Sequence, residues 1–276
     1  MDAVQVVGNF NERFMKSVGR HFVTLSCVRM LPGKREEKIF VFSGFLVEVN
    51  DIWFYVTAGH ILRDIRKAIS QGATFDVWRL GDQTAGNRFN NTAIPFGFDI
   101  ARWGVIENEE LGLDYAAVPL EELYCRQLQA GGAIPIAKVA WGDHVTEHDQ
   151  RALVGVPSAT VSYDRKTLIS AKVVVAPLEL VDAPSGAGIK AQNQFFGRLK
   201  DDSLGMLRDV DGMSGGPVFA LKKVEGTWKY SVVGVQSAWY EISRIIAACP
   251  FSSFALALEE LVSSMRSSIE HDGHAT

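Results

Sequence analysis

The chain has 276 residues, of which 47% are hydrophobic and 22% charged, a composition typical of a globular protein with a sizeable core. Its net charge of −4 supplies no basic field, so nucleic-acid binding is not expected. The start of the chain lacks the cationic and apolar regions of a secretion signal, and no apolar run reaches the roughly 20 residues of a membrane span. We therefore expect a cytoplasmic protein that does not enter a membrane.

Cys27, Cys125 and Cys249 are an odd number of cysteines, lie far apart and lack Cys-x-x-Cys spacing. The pattern favours neither a disulfide framework nor a zinc site, and it fits a reducing compartment. His271 and His274 lie in a polar tail that is typical of a frayed terminus rather than a metal site. We expect no metal and no cofactor.

Short segments rich in β-forming residues and broken by turn residues dominate the chain from residue 20 onward. The predicted strands are 22–28, 39–49, 53–57, 74–80, 102–106 and 115–119 in the first half, and 152–156, 167–175, 194–199, 218–222 and 228–236 in the second. Helical periodicity follows His60 as far as Gly72 and returns between Ser253 and Ile269. The pattern predicts an all-β protein of two antiparallel barrels, with a short helix in the first half and a helix at the C-terminus.

A less periodic stretch around Gly131-Gly132 separates the two halves and predicts a linker. The expected organisation is an N-terminal extension (1–19), a first barrel (20–125), an inter-barrel linker (126–136), a second barrel (137–250), a C-terminal helix (251–270) and a tail (271–276). Two candidate catalytic residues, His60 and Asp114, then belong to the first barrel, and a third, Ser214, belongs to the second.

The glycine-rich segment Asp211-Gly212-Met213-Ser214-Gly215-Gly216-Pro217 is the strongest chemical signal in the chain. Glycines on both sides of a serine allow the backbone to turn tightly and to approach another segment closely. Such a turn leaves the amide N–H groups of Gly212 and Ser214 free to point at one spot, as an oxyanion hole requires. The alternative is a glycine-rich turn without chemistry.

Two other segments complete a possible catalytic set. Thr57-Ala58-Gly59-His60 places a histidine where a strand ends and a helix begins, and Leu113-Asp114-Tyr115-Ala116 places an aspartate at the head of an apolar strand. A serine hydroxyl needs an adjacent base to take its proton, and a histidine base needs an acid to hold its tautomer. We therefore predict Ser214 as nucleophile, His60 as general base and Asp114 as the orienting acid. The chain order His, Asp, Ser differs from that of α/β-hydrolases and of subtilisins.

Two other aspartates compete with Asp114 for the acid position. Asp64 lies one helical turn after His60 and is expected to point along that helix. Asp99 precedes an apolar residue but lacks the pair of small residues that follows Asp114. We favour Asp114.

These segments resemble the signatures of the trypsin-like, chymotrypsin-fold serine peptidases. Thr57 to His60 is similar to T-A-[AG]-H, Asp114 to Ala116 to D-[ILV]-A, and Gly212 to Pro217 to G-[DN]-S-G-G-P. Two weaker matches are Val154 to Pro157, similar to the family's G-[YF]-P strand, and the segment from Val233 to Ser237. The resemblance covers about residues 20–255. It implies two six-stranded antiparallel barrels with the triad in the cleft between them.

The resemblance also implies substrate-binding residues. The strand similar to the one that lines the primary specificity pocket and pairs with substrate backbone contributes Val233, Gly234, Val235 and Gln236. The floor of that pocket lies about six residues before the nucleophile, at Arg208, which favours an acidic substrate side chain. An alignment shifted by one residue places Asp209 there instead and favours a basic side chain, and an exposed arginine without such a role is the third alternative.

Met213 departs from the family pattern. Secreted members carry at this position an aspartate that pairs with the ammonium group of a newly cut N-terminus, and a methionine cannot form that pair. In this respect the chain is similar to the disulfide-free bacterial branch, in which the oxyanion hole is either preformed or switched by other contacts. Both states remain open.

The expected function is that of a serine endopeptidase acting on protein or peptide substrates through an acyl-enzyme, with regulation by a partner protein as a possibility. One alternative is a catalytically silent peptidase fold that serves as a binding or scaffold module. Such a module has no physical need for all three triad residues. The other alternative is an esterase or acyl-transfer enzyme on the same triad.

Overall fold

The computed structural model describes residues 14–30, 37–81, 93–163, 169–200 and 209–273. These residues form two β-rich halves that share a hydrophobic core, as the alternating strand pattern predicts. The three cysteines of the chain are all free thiols. In this part of the chain, no helix combines the length and the apolar character needed to cross a membrane.

The first half is a seven-stranded antiparallel sheet. In spatial order its strands are β5 (Ile94–Pro95), β4 (Thr74–Gly81), β1 (Phe22–Met30), β2 (Glu37–Val49), β3 (Ile52–Thr57), β7 (Leu113–Pro119) and β6 (Gly104–Asn108). Alternate residues of the paired strands β2 and β3 face opposite sides, because side chains in a strand alternate with a period of two. Leu46 and Tyr55 lie in the core of this half, whereas Phe45 and Val56 lie in the core shared with the second half.

The described residues do not close the first half into a barrel. The edge strands β5 and β6 are not hydrogen-bonded to each other. The prediction of a closed barrel is therefore not confirmed for this half, which forms an antiparallel sheet. Strand β5 has two residues, and Pro95 has no N–H to extend a ladder. Aromatic side chains pack onto the core of this half from the segment between the two edges, including Phe96, Phe98 and Trp103.

The second half is a closed six-stranded barrel, as predicted. Its strands in order around the barrel are β11 (Val174–Val181), β12 (Phe195–Leu199), β15 (Ile245–Pro250), β14 (Thr227–Tyr240), β13 (Pro217–Val224) and β8 (Gln150–Gly155). One core cluster of this half contains Leu153, Val218, Val233 and Met213. A separate ribbon pairs β9 (Ser162–Tyr163) with β10 (Ile169–Ser170).

Three α-helices accompany the strands. Helix α1 (Gly59–Ser70) follows β3, and α2 (Glu122–Ala130) occupies the stretch from which the linker was predicted. The periodic signal of α2 is weak because Leu128 is its only buried residue. Helix α3 (Phe251–Gly273) is the predicted C-terminal helix.

Each end of the described chain packs on the opposite half. Helix α3 follows the second barrel, yet its Phe254 ring stacks on Tyr115 of the first half, with centroids 4.7 Å apart and planes 3° from parallel. At the other end, Phe14 lies in a helical turn before β1 and contacts the ring of Phe219 edge-on in the second barrel. The two halves are therefore bound together by both ends of the described chain as well as by their shared core.

Candidate active site

His60 lies in the first turn of α1, immediately after β3. The glycine before it allows the start of this helix to lie against β7, because a β-carbon on Gly59 would be only 3.0 Å from Tyr115 O and 3.2 Å from Asp114 Oδ1. The backbone N–H of His60, one of the unpaired donors of a helix N-terminus, donates to Asp114 Oδ1 at 2.7 Å. Asp114 thereby caps the helix that carries the histidine.

The second carboxylate oxygen of Asp114 binds the imidazole ring. His60 Nδ1 is 2.7 Å from Asp114 Oδ2. Because a carboxylate can only accept, Nδ1 carries the proton and donates it, which leaves the lone pair of the neutral ring on Nε2. Asp114 therefore holds both the backbone and the tautomer of His60.

The charges around His60 favour its protonated form. Burial opposes the charged imidazolium, but the hydrogen bond and the negative charge of Asp114, with a contribution from Asp64, outweigh burial and raise the pKa of His60 above its ordinary value. Arg63 opposes this effect, and it is itself engaged by Glu107, with its Nη1 2.5 Å from Oε1. His60 is thus a stronger base than a free histidine.

Asp114 is buried, with 6% of its surface exposed. Burial works to raise its pKa, but the hydrogen bond and charge of His60 and the hydrogen bond from Ser237 outweigh burial and hold the pKa of Asp114 below its ordinary value. Ser237 Oγ donates to Asp114 Oδ2 at 2.6 Å from strand β14 of the second barrel. The acid therefore belongs to one half and is bound by both.

Ser214 lies in a turn that is hydrogen-bonded to the second barrel. The N–H of Gly215 donates to Gln236 O at 2.8 Å, and the N–H of Gln236 donates back to Gly216 O at 2.9 Å. Met213 is fully buried in the barrel core, where it packs so closely that a β-carbon on Gly155 would lie 2.8 Å from Met213 Cβ. The residue before the serine is thus an apolar anchor.

The first half holds the same turn from the other side. Ser43 Oγ in β2 donates to Gly212 O at 3.2 Å and accepts the N–H of Val156 at 2.9 Å. Gly215 lies against the end of β3, where a β-carbon would be 2.8 Å from Ala58 N. This contact brings the serine turn to the segment that leads directly into His60.

Ser214 itself is half-buried. Among the described residues its hydroxyl makes no hydrogen bond, including none to His60. Hydrogen bonds between a nucleophile and its base are often long in an unliganded site and shorten when substrate binds. The contact of Gly215 with Ala58 therefore places the serine turn beside the segment that leads into His60, without a hydrogen bond between the two side chains.

The amide N–H groups of Gly212 and Ser214 have no hydrogen-bond acceptor among the described residues. Gly212 adopts a φ of +85°, which a glycine tolerates far better than other residues. The adjoining peptide is fixed, since the N–H of Ser158 donates to Asp211 O at 2.7 Å. Two donors without an acceptor on a fixed turn are available to bind an oxyanion.

The two competing aspartates lie elsewhere. Asp64 is exposed and accepts from Arg63 Nε at 3.3 Å, so it acts on His60 through charge alone. Asp99 is exposed and accepts the N–H of Ala101 at 2.9 Å, which caps a short 3₁₀-helix. Of the three aspartates weighed from the sequence, the one in contact with His60 is Asp114.

The predicted specificity residues fall into two groups. Arg208 lies outside the described residues, and Asp209 next to it is exposed. The side chains of Val233, Val235 and Gln236 are at most 1% exposed, and Val233 belongs to the barrel core and Val235 to the shared core. Gly234 likewise faces inward, toward the ring of Phe195. Any contact of this strand with substrate would have to use its backbone or the half-buried residues that follow.

Sequence reasoning did not identify the residues that surround the acid. Ser237 stood inside a matched motif but was assigned no role, although a hydroxyl directly after a buried strand segment was a usable signal. Gln194 and Cys249 carry no local signal. They reach the neighbourhood of Asp114 only because the barrel folds, with Gln194 Nε2 2.9 Å and Cys249 Sγ 3.2 Å from Gly112 O.

No protein-family model matches the sequence, and no match is found among curated proteins. Several solved structures are similar. The thermostable serine protease AL20 from an extremophilic microorganism has a TM-score of 0.45 and 15% identity, covering 83% of this chain and 90% of that chain. Protease Anisep from Arthrobacter nicotinovorans has a TM-score of 0.45 and 16% identity, covering 84% and 90% of the two chains. Tobacco vein mottling virus protease has a TM-score of 0.40 and 10% identity, covering 86% and 79%.

All three similar structures are proteases. With identity this low, the function of the present chain has to be argued from the residues of its own site.

Proposed function

We propose that this chain is a serine endopeptidase in which Ser214 is the nucleophile, His60 the general base and Asp114 the orienting acid. The observation that carries the proposal is the pair of hydrogen bonds between Asp114 and His60, one from the backbone N–H and one from Nδ1, beside the turn that contains Ser214. This arrangement leaves His60 Nε2 as the acceptor for a hydroxyl proton. The proposed architecture is the two-barrel chymotrypsin type, with the site between the halves.

In the proposed reaction, Ser214 Oγ attacks the carbonyl carbon of a peptide bond while its proton passes to His60 Nε2. The new imidazolium is stabilised by Asp114, and the negative carbonyl oxygen is bound by the N–H groups of Gly212 and Ser214. The C–N bond then breaks, and the leaving amine takes the proton from Nε2. Water then attacks the acyl-enzyme while its proton passes to His60 Nε2. The bond between the acyl group and Ser214 Oγ breaks, Oγ takes the proton back from Nε2, and the acid product is released.

We further propose that the oxyanion hole is ready without proteolytic activation. The anchor of the turn is an apolar side chain, Met213, that is already buried, and the carbonyl of Gly212 is already bonded to Ser43. Neither contact needs a new N-terminus. Val233, Gly234, Val235 and Gln236 are proposed to act as the supporting strand beneath the cleft, and the roles of Arg208 and Asp209 in the primary pocket remain proposals from the sequence.

A fluorophosphonate probe, which reacts with activated serines, tests the proposal. We expect the unaltered chain to be labelled, and Ser214→Ala and His60→Ala to abolish labelling. Ser253→Ala, an exposed serine in helix α3, is the matched control and should label fully. Lack of labelling in the unaltered, folded chain would contradict the proposal and favour a binding module.

The acid is tested with a matched pair. Asp114→Asn should reduce the labelling rate by roughly 10⁴-fold, because the amide no longer selects the Nδ1–H tautomer. Asp99→Asn removes the same charge from a remote cap and should leave the rate unchanged. Cleavage of a peptide library by the unaltered chain then distinguishes a peptidase from an esterase or acyl-transfer enzyme, which would hydrolyse activated esters but leave peptides intact.

A further inference from the structure

We propose that Gln194 is a positioning residue for the catalytic acid, acting through Ser237 and through the backbone carbonyl of Gly112. The inference builds on the proposed function of the same site. Gln194 immediately precedes β12 in the second barrel, whereas Gly112 immediately precedes β7 of the first half and Asp114 is the second residue of that strand. It would therefore link the two halves at the point where the acid is held.

The orientation of the Gln194 amide follows from its neighbours. Gly112 O can only accept, so the amide must present its NH₂ group to it, at 2.9 Å. The same nitrogen lies 3.5 Å from Ser237 Oγ and 3.8 Å from Cys249 Sγ, so its second N–H is shared between the serine hydroxyl and the thiol. Gln194 is only 8% exposed, and hydrogen bonds shielded from water are stronger than those at the surface.

This orientation supports the role of Ser237 as a donor. A serine hydroxyl has a single proton, and a donor directed at its oxygen leaves that proton to be given elsewhere. Ser237 gives it to Asp114 Oδ2 at 2.6 Å, and the same carboxylate accepts from His60 Nδ1 at 2.7 Å. Hydrogen bonds therefore run from Gln194 to Ser237 and from Ser237 to Asp114, and Asp114 also accepts from the imidazole ring of His60.

The backbone before Asp114 is held at the same place. Gly112 has a φ of +74°, and a β-carbon there would lie 3.0 Å from Gln194 Cδ and 2.9 Å from Lys190 Cβ. Its carbonyl also accepts from Cys249 Sγ at 3.2 Å, and the preceding carbonyl, Leu111 O, accepts from Asn193 Nδ2 at 2.8 Å. The segment leading into the acid thus lies directly against the segment that ends at Gln194.

The test compares Gln194→Met with Gln192→Met. The first removes both amide donors at similar size, and the second changes an exposed glutamine of the same segment. The first readout is the NMR titration of the His60 ring, assigned with His60→Gln, and the second is the rate of fluorophosphonate labelling. The charged groups that act on the ring are Asp114, Asp64 and Arg63, and neither substitution alters them.

In Gln194→Met we expect the pKa of His60 to rise, because Ser237 is free to turn away and the charge of Asp114 is then shared with fewer donors. We expect labelling to slow by roughly 10- to 100-fold as the acid loses its fixed geometry. Gln192→Met should change neither readout. An unchanged His60 titration in folded Gln194→Met would overturn the inference.

Two further variants cover the remaining outcomes. If Gln194 acts through Ser237, Ser237→Ala should abolish most of the effect of Gln194→Met in a double-mutant cycle, and full additivity would contradict that route. If Gln194→Met does not fold, Gln194→Asn, whose shorter side chain does not bring its amide to Gly112 O and Ser237, replaces it and should likewise raise the pKa of His60. An unchanged titration would again overturn the inference. The titration needs no turnover, so an inert but folded parent would refute the proposed function separately.

Discussion

Gly215 lies against Thr57 so closely that a β-carbon on the glycine would overlap the threonine Oγ1. The two residues belong to different halves, one beside the candidate nucleophile and the other three positions before the candidate base. Thr57 Oγ1 donates to Ser43 O at 2.8 Å, and a β-carbon on Gly215 would also lie 2.6 Å from that carbonyl. The distance between the serine turn and the histidine strand is therefore set by the absence of a side chain.

The first prediction concerns this contact. Gly215→Ala should destabilise the fold by about 2–5 kcal/mol, from overpacking and from an alanine at a φ of +83°, and should abolish labelling. Gly226→Ala is the matched control, since Gly226 has a φ of +81° and nothing within 4 Å of a β-carbon. It should lose only about 1–2 kcal/mol and label normally. Equal effects in chemical denaturation and labelling would show that the contact does not matter.

The second prediction concerns pH. Under the proposed function neutral His60 is the base, so the labelling rate should rise with pH, with a midpoint above the ordinary histidine value of 6.5 because Asp114 and Asp64 raise the pKa of His60. Asp64→Asn removes one of these charges and should move the midpoint to lower pH. Glu147→Gln, an exposed carboxylate of the second half, should leave it in place. A midpoint in Asp64→Asn at or above that of the parent would contradict the assignment.

The third prediction concerns acid stability. His21 is 3% exposed, its Nδ1 is 2.9 Å from Ile134 O and its Nε2 2.8 Å from the Tyr230 hydroxyl. Burial lowers the pKa of His21 to about 4. Between pH 6.5 and 4 the unfolded chain therefore binds a proton that the folded chain does not, and stability falls as pH falls.

Urea unfolding should show this as a free energy of unfolding on the order of 2 kcal/mol lower at pH 5 than at pH 8. His21→Gln offers a neutral donor and acceptor of similar reach, and this part of the pH dependence should disappear. His148→Gln, in a loop of the second half, should retain it. If His21→Gln and the parent lose the same stability on acidification, another group is responsible.

The fourth prediction concerns the anchor of the serine turn. Met213→Ala leaves a cavity in the barrel core and should destabilise the fold by about 2–5 kcal/mol. It should also slow labelling, because the turn that carries the two free N–H groups loses its fixed end. Met265→Ala, a methionine of helix α3 that is 58% exposed, should stay within roughly 0.5 kcal/mol of the parent. Full labelling by folded Met213→Ala would contradict the anchoring role.

Short-range patterns in the sequence predict the β-rich halves, the helix after His60 and the C-terminal helix, because strand alternation, helical periodicity and glycine punctuation are local signals. The motif around Ser214 is local too. By contrast, the open edge of the first sheet could not be read from the sequence, since it depends on whether the two-residue strand Ile94–Pro95 reaches a partner.

The surroundings of the acid were equally out of reach. Gln194 is 82 residues from Gly112, and Ser237 is 123 residues from Asp114, so neither pair leaves a spacing that a motif could capture. Val233, Val235 and Gln236 were expected beside substrate because of a resemblance, yet their side chains are buried. A strand beneath a cleft can present its backbone to the cleft while its side chains pack in the interior. A single sequence does not show which of the two would contact substrate.

Tyr115, the residue after the acid, stacks on Phe254 and donates its hydroxyl proton to Pro250 O at 2.8 Å. A chain leaves the ribosome N-terminus first, so Asp114 emerges long before Phe254, which packs on the neighbouring Tyr115. The first half can fold early and still lack Ser214, Ser237 and Phe254. Vectorial synthesis thus assembles the candidate site only when nearly all of the described chain has emerged, and under the proposed function this would spare the nascent chain, and the proteins around it, from premature cleavage.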